Sequence, residues 1–233
     1  MIDELRQFLH QFVFGIYPYL CIAVFLAGSL IRFDREQYTW KSDSSQMLRT
    51  GQLRWGSNLF HVGILALFFG HLFGLLTPPA VYHAFGLSSA AKQMIAIVAG
   101  GVFGTMCLVG LILLVHRRLT DPRIRATSTD MDVFILLWIL VTLLLGMTSI
   151  FWSLGHRDGA VMVQLGAWAQ HIVTFRAGAA DLIIGVDWIY KLHLVFGVTL
   201  FLLFPFSRLV HIWSGFAVVG YLTRAYQIVR TRG

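Results

Sequence analysis

Residues 188–213 read WIYKLHLVFGVTLFLLFPFSRLVHIW. Only Lys191 and Arg208 carry a fixed charge in this stretch, one toward each end. About 20 apolar residues in a helix cross a hydrocarbon core, so the segment is a membrane span and sets the fold class. It also contains two histidines, His193 and His211. A second apolar stretch, SNLFHVGILALFFGHLFGLL at residues 57–76, contains His61 and His71. An ionisable ring inside a span is costly and marks function. Imidazole is a usual axial ligand of haem iron. Two histidines on each of two helices are what a pair of stacked, bis-histidine b-type haems requires. The expectation is a membrane electron conduit.

Working outward, the 233 residues are 57% hydrophobic and 12% charged, against about 25% charged in a soluble domain. Five stretches are long enough to cross: residues 8–31, 58–76, 93–115, 133–152 and 188–213. Nothing alternates with the period of a membrane β-barrel, and a lipid core demands that backbone groups be satisfied internally, which leaves helices. The expected fold is an all-α integral membrane bundle of five transmembrane helices, a single domain over residues 1–233 with a tail at 214–233.

The net charge of +7 is informative through its distribution. Arg32, Arg35, Lys41, Arg49 and Arg54 fall between spans one and two. Arg117, Arg118, Arg123 and Arg125 fall between spans three and four, and Arg224, Arg230 and Arg232 follow span five. The opposite loops hold only Lys92, Arg157, Arg176 and Lys191. Positive loops stay inside, so the N-terminus is expected outside (periplasmic) and the C-terminus cytoplasmic, with Arg6 as a single opposing charge. Cys21 and Cys107 fall mid-span without a CxxC partner and read as small buried residues. No CxxCH is present, so any haem is held without a covalent link.

Spans two and five run in opposite directions. That pairs His61 with His211 near the cytoplasm and His71 with His193 near the outer face. The spacings do not match. Ten residues of helix rise ~15 Å and eighteen rise ~27 Å, and ten residues also leave the second ring rotated by ~80°. A crossing angle, tilted haems and a kink at Pro205 would reconcile them. Gly63, Gly70 and Gly74 around the first pair, Gly197 after His193, and Gly100, Gly101 and Gly104 on span three serve either haem clearance or close helix packing. His10, His83, His116, His156 and His171 lie at span ends or in loops and read as surface residues, although His83 and His171 fall on the side of an external quinone site. A tetrahedral zinc centre fits poorly, because the four intramembrane histidines are spread over too much height. The loop at 153–187 has helical apolar spacing in its middle, at 161–175, and is expected to lie along the interface.

Several segments together resemble the cytochrome b (gamma) subunit family of membrane-bound respiratory nitrate reductase. They are IYPY at 16–19, QYTW at 37–40, SSQML at 44–48, SNLFHVGIL at 57–65, GHLFGLLTP at 70–78, RRL and PRIRAT within 117–127, and the block at 191–213. They are spread in order over nearly the whole chain, and the match is weakest at 155–187. The resemblance implies a five-helix subunit with two b haems in the bacterial inner membrane. It implies that His71 and His193 ligate the outer (distal) haem and His61 and His211 the inner (proximal) one, the same pairs that topology gives. It implies quinol, ubiquinol or menaquinol, as the electron donor. The implied partners are a cytoplasmic iron–sulfur subunit and a molybdenum subunit that reduces nitrate. Lys92 falls at the position of a lysine lining the family's quinol site, or else it caps the entry to span three. With Gly70 and the His71 ring it completes the candidate quinol residues. Arg32, Arg208 and the basic turn at 117–125 either set topology, neutralise haem propionates or dock the iron–sulfur subunit.

Three other readings compete. A related di-haem subunit of a heterodisulfide- or sulfite-reductase-like complex would share the bundle and its ligands. A haem-free, histidine-lined transporter predicts acidic residues or broken helices at mid-membrane, whereas Asp3, Glu4, Asp132 and Asp187 sit at or outside the span ends. A plain membrane anchor requires that the histidines hold nothing.

Overall fold

The computed structural model describes residues 1–36, 50–155 and 157–214. Among them are five helices long and apolar enough to cross a membrane, and no strand. We number the helices α1 (Ile2–Arg35), α2 (Thr50–Leu76), α3 (Pro79–Ala84), α4 (Ser89–Thr120), α5 (Pro122–Ala126), α6 (Asp130–Gly155), α7 (Ala160–Val173) and α8 (Trp188–Leu203). The five long ones are α1, α2, α4, α6 and α8. The QYTW and SSQML segments and the tail at 215–233 lie outside the described residues.

Helix ends follow local chemistry. Ser88 caps α4, its Oγ accepting from the Ala91 N–H at 3.1 Å. Pro78 and Pro79 end α2 and open α3, since proline cannot donate to the helix before it but suits a first turn. The basic turn after span three is a short helix. Asp121 Oδ1 accepts from the Arg123 and Ile124 N–H groups ahead of Pro122. Thr129 and Asp132 cap α6 reciprocally: Asp132 Oδ2 accepts from the Thr129 N–H at 2.8 Å and Thr129 Oγ1 from the Asp132 N–H at 3.3 Å.

Spans pack in the order α2, α4, α6, α8, α1. The α2–α4 seam is the tightest. A Cβ on Gly110 would stand 2.3 Å from the Phe60 nitrogen, and one on Gly63 would stand 2.6 Å from the Cys107 nitrogen. Small residues let these two backbones touch. Cys21 and Cys107 are both fully buried and unpaired, small core residues as their positions indicated. Gly63 and Gly104 therefore serve packing, Gly104 against the Met147 sulfur. Among the described residues, nothing beyond the local helix backbone comes within 4 Å of a Cβ built on Gly70, Gly74, Gly101 or Gly197.

Three features depart from the sequence reading. First, α1 starts at Ile2 and contains a widened turn at Phe12–Ile16. Such a turn frees a carbonyl, and Phe14 O accepts instead from Trp168 Nε1 at 2.9 Å. Second, α7, where the sequence suggested an interfacial segment, has one face packed inside the protein. Trp168, Ala169 and Ile172 of α7 are buried in one apolar core with Phe14, Ile183, Ile189 and Tyr190. Gln170 Nε2 also donates to Leu75 O at 2.9 Å, satisfying a carbonyl at the end of α2.

Third, span five is broken rather than kinked. Regular helix stops at Leu203. Two tight turns, Phe204–Phe206 and Arg208–Val210, flank an extended Ser207, and helix resumes at His211. Pro205 starts the break by withholding a backbone donor. Gly28 of α1 accommodates it, because a Cβ there would lie 2.7 Å from the proline ring. The freed carbonyls find a donor in Arg32, whose Nη1 reaches Pro205 O at 2.7 Å and Ser207 O at 2.9 Å. The eighteen-residue spacing of His193 and His211 therefore does not carry the rise of one continuous helix.

Candidate functional site

The break lets both histidine pairs meet. The ring centres of His61 and His211 stand 6.3 Å apart, and those of His71 and His193 stand 5.9 Å apart. Spans two and five are not neighbours in the packing order, yet they approach each other at these rings. Among the described residues no three His, Cys, Asp or Glu side chains gather as a metal site. The histidines come in twos.

Each ring has its orientation set by a carbonyl. His61 Nδ1 lies 2.7 Å from Ser57 O, and His71 Nδ1 lies 2.7 Å from Leu67 O, each one turn back in its own helix. His193 Nδ1 lies 3.0 Å from Thr142 O on α6, and His211 Nδ1 lies 2.6 Å from Arg208 O. A carbonyl oxygen only accepts, so in each case Nδ1 carries the proton. The lone pair of the neutral ring is then on Nε2. That is the tautomer a metal-binding histidine needs, with the second nitrogen engaged by a backbone oxygen. An iron between two imidazoles, with metal–nitrogen bonds of ~2 Å, separates the ring centres by about 6 Å. Both pairs meet that requirement.

The His71–His193 pair has a further support. The His193 ring lies against Gly146 of α6, where a Cβ would come within 2.8 Å of Cε1 and 3.3 Å of Nε2. The only signal of this in the sequence is a glycine alone in the apolar run of span four. Thr142, whose carbonyl orients His193, gives none. Trp138 fixes α6 to span five one turn away, donating from Nε1 to Phe196 O at 3.1 Å and stacking on the Phe196 ring at 4.5 Å.

Lys92 reaches the end of α2. Its Nζ donates to Gly74 O at 2.9 Å and Thr77 O at 3.3 Å, and sits 4.1 Å from the centre of the Tyr82 ring. It therefore caps the exit of span two rather than the entry to span three, within a turn of His71. Cations are favoured at that end of a helix. An ammonium has three donors and two go to these carbonyls, which leaves one for an incoming oxygen. Gly70 immediately precedes His71 on the same helix. His83 sits outside this group, with Nε2 3.3 Å from Ser89 Oγ, and His171 Nδ1 lies 3.2 Å from Ala177 O.

Beside the His61–His211 pair lies a charged cluster. Asp132 stands in the first turn of α6, at the end of the span, and is 4% exposed. Its Oδ2 accepts from Arg208 Nη2 at 2.5 Å and its Oδ1 from Arg208 Nε, while Arg118 Nη1 stands 3.7 Å from Oδ2. Arg208 and Arg32 thus have structural partners in the chain itself.

A family model described as nitrate reductase gamma subunit matches residues 10–232. The chain is 52% identical to the respiratory nitrate reductase 2 gamma chain of Escherichia coli (strain K12) over 227 residues, covering 97% of this chain and 99% of that one. It is 53% identical to the respiratory nitrate reductase 1 gamma chain of the same organism over 226 residues, with the same coverage. It is 37% identical over 222 residues to the nitrate reductase gamma chain of Bacillus subtilis (strain 168), covering 95% and 98%.

Proposed function

Because the chain belongs to the nitrate reductase gamma subunit family, we propose that it is the quinol-oxidising, di-haem b subunit of such a complex. In this reading it takes electrons from quinol at the outer side of a bacterial inner membrane. It delivers them to a cytoplasmic iron–sulfur subunit, and nitrate is reduced on a molybdenum subunit. The observation that carries this is the facing of four Nδ1-protonated imidazoles in two pairs at about iron-ligating separation. The family relationship favours a nitrate reductase over a heterodisulfide- or sulfite-reductase-like partner. A haem-free transporter gives no reason for two matched ring separations.

His61 and His211 hold the inner haem, and His71 and His193 the outer one. The haems, when bound, supply one-electron redox chemistry. Quinol enters from the bilayer, since it is apolar. The remaining N–H of Lys92 donates to a quinol oxygen beside His71, and fixed cationic charge there favours loss of the hydroxyl proton. Oxidation releases two protons and two electrons per quinol. With the N-terminus outside, as the loop charges require, the protons leave outside while the electrons pass inward. Charge is separated without any residue carrying a proton across.

The test is a reduced-minus-oxidised spectrum and a haemochrome count on the full chain, followed by reduction with a quinol. Two b haems per chain, both reducible by quinol, are expected. A folded chain with no haem would leave the anchor and transporter readings. Lys92→Gln should slow quinol-driven reduction about tenfold, the usual weight of one charge-assisted hydrogen bond, with the dithionite-reduced spectrum unchanged. Reduction at the original rate would confine Lys92 to capping α2. Gly146→Ala should disturb the outer haem alone, because its methyl group occupies the place of the His193 ring edge. The readout is a shifted low-spin signal for that haem, and an unshifted one would show that the ring moves freely.

A further inference from the structure

Asp132 is a buried carboxylate within a membrane-spanning helix. Burial of a charge is costly unless geometry and pairing are good, and an arginine that only sets topology needs no buried partner. Here the carboxylate takes the forked side of Arg208, Nε to Oδ1 and Nη2 to Oδ2, which fixes the guanidinium in position and angle. Arg208 lies in the unwound part of span five, where its own backbone has no continuous helix to hold it. Its carbonyl oxygen accepts from His211 Nδ1 at 2.6 Å. One residue thus has its side chain clamped to α6 and its carbonyl aimed at an imidazole. Arg32 holds the other end of the same stretch, at Pro205 O and Ser207 O. The outer pair uses neither clamp, since Leu67 and Thr142 carbonyls orient His71 and His193.

We propose that Asp132 is a positioning residue for the inner haem: by holding the Arg208 guanidinium it fixes the Arg208 carbonyl, and with it the plane of the His211 imidazole. The proposal rests on the reading of His211 as a haem ligand. It separates Asp132 from general fold support, because a positioning effect falls on one haem and a folding effect on both.

The test uses the full chain in membranes, with haem per polypeptide and the low-spin electron paramagnetic resonance signals as readouts. These signals follow the relative orientation of the two axial rings. His211→Ala and His193→Ala first identify the inner and outer signals. Asp132→Asn is then expected to lower inner-haem content at least twofold and to shift the signal of what remains, with the outer haem unaltered. Asp132→Glu, which keeps the carboxylate, should restore most of the content. Full content with an unshifted inner signal would overturn the proposal, even if the inner potential moved, because that is a bare charge effect. Equal loss of both haems would also overturn it and mark Asp132 as a fold support. If His211→Ala itself keeps two haems, the ligand reading has failed and takes the proposal with it.

Discussion

Replacing His193 by alanine is expected to leave one haem where the unaltered chain holds two, and to cut quinol-driven reduction by more than 100-fold. Loss of a partner that merely orients a ligand already costs about 10–100-fold in affinity or activity, and loss of the ligand costs more. His71→Ala should remove the same haem, since the two rings stand 5.9 Å apart and face each other as the proposed ligands of one iron. His61→Ala and His211→Ala should each remove the other haem. The pairing gives a sharper test than the count. Within a pair the effects are not additive, so His71→Ala with His193→Ala should be no worse than either alone. Across pairs, His61→Ala with His193→Ala should leave none. The haemochrome count per polypeptide decides it. Retention of two haems in His193→Ala, or additive losses within a pair, would sink the assignment.

Gly110→Ala should destabilise the bundle by about 3 kcal/mol, the upper part of the usual range for overpacking. The methyl group would meet the Phe60 nitrogen at 2.3 Å and Gly56 O at 2.8 Å, both main-chain atoms that cannot rotate aside. α2 and α4 must then separate along their whole seam and lose contact between Gly63 and Cys107 as well. By the scaling for chains of this size, a loss of that order lowers Tm by about 6–12 °C. Both haems should become labile together, because α2 carries His61 and His71. Gly101→Ala is the control. It is on the same helix with no described atom beyond the local helix backbone within 4 Å, so Tm should hold or rise slightly as a helical glycine is removed. Equal falls in the two variants would mean that close backbone approach is not what holds the seam.

Much of the candidate site is legible in the sequence. Span composition, the positions of four histidines and the antiparallel relation of spans two and five all follow from local properties that add along the chain. Those properties gave the two pairs of rings, but they also gave a conflict, ten residues against eighteen. The conflict came from treating span five as one helix. Pro205 signals a disturbance there, and nothing nearby says whether the chain will bend or unwind.

The remainder depends on contacts between residues far apart in sequence. Arg32 meets Pro205 and Ser207, Asp132 meets Arg208, Gly146 meets His193, and Trp168 meets Phe14. Glycine at 146 looks no different from the glycines of spans two and three until the ring it faces is known. Asp132 reads as an end residue and is one, but its burial against two arginines from other parts of the chain has no local signal. The sequence alone determined which segments are long and apolar enough to cross a membrane and which side chains are the candidates for the chemistry, since transfer from water to lipid is nearly a sum over residues. Only the tertiary structure decided how each imidazole is aimed, because that depends on which carbonyls and small residues packing brings against it.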